Sequence, residues 1–264
     1  EKKEMLKALP SVKPTYRNKN LSPYHDLENV VGEDENLDPY HFARSLIGEI
    51  EKNDQEIGSH TFSHYYCLEK GQSAHQFKAD IEAAVRVAKE NGIKLNSMVF
   101  PRNQDNPAYR HIILDAGFTS FRGNQRHFMY NYKLDKYLFP LQRVLRIIDS
   151  FINLSGYNIY APEIKDGLLN IPASRLLRPY SSGLKFLETW RLRRIKSSMT
   201  AAAKTRKTFH LWWHPHNFGR NQHQNFAFLE KILQHFTELR EQYGFESISM
   251  GKLAQQILRE HAIK

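Results

Sequence analysis

Two histidine clusters hold the residues of this chain best suited to chemistry. The first is His60-Thr61-Phe62-Ser63-His64, directly after Gly58-Ser59. Two imidazoles four residues apart on a helical turn project from one face, so both can reach one metal ion. A zinc protease would need Glu directly after the first His as its base. Thr61 stands there instead, so any base comes from elsewhere. Two surface histidines on one helix face would give the same spacing. The second cluster runs Phe209-His210-Leu211-Trp212-Trp213-His214-Pro215-His216-Asn217, a hydrophobic strand leading into His-Pro-His. Pro215 ends the strand and fixes the turn after His214. An imidazole there suits acid–base work near neutrality, whereas His210 and His216 read more simply as loop hydrogen-bonding groups. Between the clusters lies Val99-Phe100-Pro101-Arg102-Asn103, a strand with a polar turn at its carboxyl end. Arg102 offers a fork that clamps a carboxylate, or is simply solvated.

The elements that must position these groups alternate. Asp38 and Pro39 predict a helix start, a cap followed by Pro, with Phe42, Ala43, Leu46, Ile47 and Ile50 on its buried face. Residues 56–60 read as a short strand. Ser73 caps a second helix marked by Phe77, Ile81, Ala84, Val85 and Ala88, and Asn91-Gly92 stops it. Strands follow at 97–100, 118–121, 168–171, 209–213 and 246–248. Helices are expected over 107–117, 136–154, 183–203, 226–239 and 250–257. Strands alternating with helices argue an α/β fold, a parallel sheet with helices packed outside it. Residues 1–37 carry Pro10, Pro14 and Pro23 with no convincing period and read as an irregular segment. Residues 123–135 also read as loop, and 38–264 reads as one domain.

Composition bounds the function classes. The chain has 264 residues, 41% of them hydrophobic, with 16 Phe, 13 Tyr and 3 Trp, too aromatic for a disordered chain. A single cysteine, Cys67, excludes a disulfide framework and a Cys-based zinc cluster, and reads as a small buried apolar residue rather than a nucleophile. The net charge of +10 attracts anionic partners. Seven Lys or Arg residues fall between Arg191 and Lys207. No stacking aromatics alternate with them, so they read as the wet face of a helix with Leu187, Trp190 and Ile195 inside, and not as a nucleic-acid site. No apolar run approaches the ~18 residues of a membrane span, and nothing resembling a signal peptide follows Glu1. Stable membrane insertion is therefore not expected, and cytoplasmic and envelope-associated locations both stay open.

The order Ser-His-Thr-Phe-Ser-His at 59–64, Phe-Pro-Arg-Asn at 100–103 and Leu-Trp-Trp-His-Pro-His at 211–216 resembles the polysaccharide deacetylases of the NodB-homology type. The run from Gly117-Phe118 to Phe121-Arg122-Gly123 and the stretch Met250–Leu253 are also similar to that family, so the resemblance covers residues about 40–260. It implies a (β/α) barrel of the seven-stranded deacetylase type. It implies hydrolysis of N-acetyl groups on sugars of a polysaccharide or cell-surface glycan, with a divalent metal, normally zinc. His60 and His64 would be two of the three metal ligands, Arg102 would orient the base aspartate, and His214 would be the general acid. Trp212, Trp213 and Pro101 would line the acetyl or sugar pocket. The family's first motif, an Asp-Asp pair supplying the base and third ligand, has no counterpart before His60: Asp26, Asp34 and Asp38 stand alone, with no apolar strand leading into them. The aspartate that tunes the acid histidine is not evident either. The expectation is a cut start that lacks the first strand or strands and leaves this piece inactive by itself. The alternatives are a small-molecule amidase acting on a cyclic imide or formamide, and a non-catalytic glycan-binding relative.

Overall fold

A computed structural model of the chain describes residues 1–25, 27–130 and 139–262. Among them are six short strands: β1 (Ser97–Val99), β2 (Ser120–Arg122), β3 (Glu163–Lys165), β4 (Leu168–Asn170), β5 (Arg175–Leu176) and β6 (Leu211–Trp212). The first four form a sheet in the order β1-β2-β4-β3, with β1, β2 and β4 parallel, and β5 and β6 form a separate parallel pair. The chain divides into two compact units. One comprises Glu1–Arg122, Ile164–Asn170 and Ile248–Lys264; the other comprises Gly123–Glu163 and Ile171–Ser247. The span 38–264, expected as one domain, is distributed over both, and no closed barrel forms among the described residues.

In the first unit, helix Ala74–Glu90 opens with a reciprocal capping box between Ser73 and Gln76. It lays Phe77 and Ile81 against Met98 of β1, Phe121 of β2 and Leu168 of β4, all fully buried. The rings interlock: Phe77 stacks on Tyr109 at 5.3 Å and Phe100 meets Phe121 edge-on at 6.1 Å. Cys67 lies inside this core with no exposed surface. Asp166 and Gly167 join β3 to β4 with φ values of 53° and 79°, the left-handed pair that a two-residue hairpin demands.

Three local expectations are corrected here. Residues 56–60 make no strand: only Ser59 bridges Met98, because Thr61 turns the chain immediately afterwards at φ 63°. The helix expected from Asp38 begins at Arg44 instead, since the Asp38 carboxylate accepts from the Gly32 amide at 2.9 Å and from His41. The side of that helix expected to be buried faces outward, with Leu46 61% and Ile50 41% exposed. Residues 1–37, read as irregular, contain short helical pieces, and Tyr16 and Val31 are buried.

In the second unit, helices Glu188–Thr205 and Gln222–Tyr243 pack Ile195, Met199, Phe228 and Ile232 around Leu177. The helix expected at 136–154 is Phe139–Ile148, while residues 136–138, and 131–135 of the expected loop, lie outside the described residues. Helix Glu188–Thr205 is rotated from its expected setting. Trp190 is 55% exposed, whereas Arg191 and Arg194 point inward. Arg194 is drawn in by the Asp149 carboxylate and the Gly156 carbonyl, and Arg191 by the carbonyls of Arg178 and Pro179. Residues 246–248 make no strand; the chain leaves the left-handed cap Gly244 and packs Phe245 against Phe236.

These corrections predict a contrast in stability. Phe77→Ala is expected to cost about 3–5 kcal/mol, whereas Leu46→Ala stays within about 0.5 kcal/mol because its side chain is mostly in water. Equilibrium urea unfolding of both variants checks this, and a large loss in Leu46→Ala would contradict the outward setting of helix Arg44–Lys52.

Candidate functional site

His60 and His64 do come together, but on a loop and not on a helical turn. Residues 60–66 belong to no helix or strand, and both Thr61 (φ 63°) and His64 (φ 56°) are left-handed. The imidazole rings sit with centroids 4.8 Å apart at 69°. A β-branched residue in the left-handed region is strained, so the loop needs fixed partners. The Ser59 hydroxyl accepts from the Thr61 amide at 3.1 Å, and the Thr61 hydroxyl accepts from the Tyr65 amide at 2.7 Å. Between these, the buried Asp80 carboxylate accepts from the amides of Phe62 (2.8 Å) and Ser63 (3.1 Å) and from the Ser63 hydroxyl.

Asp80 has no exposed surface. Burial lifts its pKa to about 6, against the hydrogen bonds from Ser63 and Phe62 that favour the carboxylate. In sequence, an acid inside an amphipathic helix looks like the wet face. Its position three residues after Phe77 and one before Ile81 was the available signal.

The carbonyl of Val99, at the end of β1, accepts a hydrogen bond from His60 Nδ1 at 2.7 Å. A carbonyl only accepts, so Nδ1 carries a proton and, in the neutral ring, Nε2 keeps the lone pair, the arrangement a metal-ligating histidine needs. The next turn holds Arg102 and Asn103, both left-handed at φ 50° and 52°. The Arg102 guanidinium lies 4.4 Å from the centre of the Tyr66 ring, and His64 meets the same ring edge-on at 5.1 Å. Tyr66 thus joins the histidine loop to the arginine turn. Its amide donates to the Tyr16 hydroxyl at 2.8 Å, which ties in the N-terminal segment. Pro101 is buried beneath, while His60, His64 and Arg102 are exposed.

The second cluster lies in the other compact unit. His210 acts through its backbone, whose carbonyl accepts from the Ser174 amide at 2.9 Å and sets β5 against β6. Trp212 closes β6 and touches His214 edge-on at 5.4 Å, and His216 stacks on His214 at 5.2 Å. Trp213 has left the strand to pack on Phe218 at 5.6 Å. His214 is exposed and begins the turn that Pro215 fixes.

The donor set suits a divalent ion as far as it goes. Two imidazoles, one with its tautomer fixed by a carbonyl, are what zinc accepts from histidine. Among the described residues no group of three or more His, Cys, Asp or Glu side chains converges to complete a site. Asp26 lies outside the described residues, while Asp34 and Asp38 are engaged by nearby backbone amides. No helix among the described residues is long and apolar enough to cross a membrane. Compared with known proteins, the chain matches no family model, no curated protein and no solved structure.

The buried acid gives a pH test. The folded protein holds the Asp80 proton up to about pH 6, above the ordinary carboxylate value, so protonation favours folding. Its contribution is full below about pH 4 and is lost as pH rises through about 6. Asp80→Asn does not titrate and is expected to flatten the stability curve across that window, as read by urea melts. An unchanged slope in the variant would contradict the assignment.

Proposed function

We propose that this chain is a metal-dependent amide hydrolase that removes N-acetyl groups from the sugars of a polysaccharide or cell-surface glycan, on a (β/α) barrel of the deacetylase type. The observation that carries the reading is the loop 60–64, with two imidazoles at 4.8 Å and the His60 tautomer set by the Val99 carbonyl. A bound divalent ion, zinc by preference for these nitrogen donors, would polarise the acyl carbonyl and lower the pKa of its water. His60 through Nε2, together with His64, would hold that ion. Arg102 would orient the carboxylate base through its paired N–H donors. His214 would donate a proton to the departing amine nitrogen, with Trp212 and Trp213 against the acetyl group or sugar face and Pro101 flooring the arginine turn.

The exposure of His60, His64 and Arg102 favours a polymer over a small molecule, since small ligands are usually enclosed by their sites. The same exposure suits a glycan-binding relative without catalysis, and activity separates the two. The test is acetate release from an N-acetylated oligosaccharide with added zinc. His214→Ala is expected to lower kcat by roughly 10²–10⁴ while bound metal stays constant. Loss of metal in that variant would make His214 a ligand, and an unchanged kcat would remove it from the chemistry.

A further inference from the structure

The charges that stay outside helix Glu188–Thr205 line a groove in the second unit. Arg191 and Arg194 turn inward, so the outer face keeps Arg193, Lys196 and Lys204. Together with Tyr157, Ser197, Thr200 and Thr205 they line a cavity of about 710 Å³. Arg193 to Lys204 spans about 16 Å of helix axis at ~1.5 Å per residue, room for a chain ligand rather than a lone ion.

Two contacts fix the groove in shape. Arg194, from inside the core, donates to the Gly156 carbonyl and so anchors the segment that carries Tyr157, whose side chain is 43% exposed. The Thr200 hydroxyl meets the His235 ring at 2.9 Å, which ties helix Gln222–Tyr243 to the floor.

The lining asks two things of a ligand. No Asp or Glu lines the groove, and Arg193, Lys196 and Lys204 form no ion pair among the described residues. These cations call for negative charge. The Ser197 and Thr205 hydroxyls each give their proton to the carbonyl four residues back, that of Arg193 and of Ala201, both at 2.7 Å. Their oxygens are left to accept, so they call for O–H or N–H donors on the same ligand. A DNA backbone supplies the charge without the donors, and a bilayer surface is too flat to follow a groove. A sugar chain bearing carboxylates or sulfates supplies both, and its C–H faces match the apolar body of Tyr157.

We propose that this groove binds an acidic oligosaccharide. Arg193, Lys196 and Lys204 take its anionic groups, Ser197 and Thr205 its hydroxyls, and Tyr157 a ring face. The site is independent of the hydrolase reading, for it uses none of that reading's residues.

The experiment is calorimetric titration of the full chain with galacturonate oligomers and sulfated galactose oligomers at constant ionic strength. A neutral cellulose oligomer, a single-stranded DNA of equal charge and anionic vesicles are the comparators. Saturable binding of either acidic oligomer is expected, at least about tenfold tighter than of any comparator. Arg193→Gln/Lys196→Gln is expected to weaken it about tenfold, the scale of two exposed charge contacts. Lys89→Gln/Lys94→Gln removes the same charge from exposed positions of the first unit and is expected to change nothing. Lys204→Gln, also at an exposed position, tests the same groove should the first double variant fold poorly. Absence of saturable binding, equal weakening by both double variants, or any comparator binding as tightly as the acidic oligomers would overturn the proposal.

Discussion

The first unit depends on one buried carboxylate. Asp80 is held in place from behind by the packing of Phe77 and Ile81 and by the capping box that sets the start of its helix. From that fixed position it receives two amides and a hydroxyl from Phe62 and Ser63. Those bonds offset the cost of a left-handed Thr61, and the left-handed Thr61 lets His60 reach the Val99 carbonyl while His64 turns back toward it. Core packing thus sets the helix, the helix sets the carboxylate, and the carboxylate sets the imidazoles. Removing the acid would leave two amides and a hydroxyl without their acceptor, at about 1–3 kcal/mol for each group that stays buried.

A second buried carboxylate shows how the environment decides ionisation. Asp149 is as inaccessible as Asp80, and burial pushes its pKa upward in the same way. Arg175, with hydrogen bonds from Ser155, outweighs that push and holds Asp149 at about 2. Asp80 meets only dipoles and rises to about 6. The two acids therefore respond to pH with opposite signs. The Asp149 contribution to stability is present at neutral pH and lost as pH falls toward 2, whereas the Asp80 contribution grows on acidification.

Much of this was legible in the sequence where a local rule governs. Ser73 marked a helix start, Asn91-Gly92 marked its end, and the parallel pairing of β1 and β2 follows from strands separated by a helix. The Asp166-Gly167 turn carried its own signal, though strand length alone had shown only β4. Failure came where a distant partner decides. The amphipathic pattern over Arg44–Lys52 is genuine, but nothing in the described fold covers its apolar side. The spacing of His60 and His64 suggested a helical turn, yet a carboxylate eighteen residues further along the chain from Phe62 bends it into a loop. Arg191 and Arg194 looked like wet charges because the acceptors that pull them inward lie in other segments.

The central claim is that the loop 60–64 holds a divalent ion. Cobalt(II) substitutes for zinc and reports histidine ligation by visible absorption, so its titration into the protein and into the His60→Ala/His64→Ala variant tests the claim most directly. The account expects saturation near one equivalent in the wild type, a ligand-field spectrum with nitrogen donors, and loss of both in the variant. Equal metal content and an unchanged spectrum in the two proteins would contradict it.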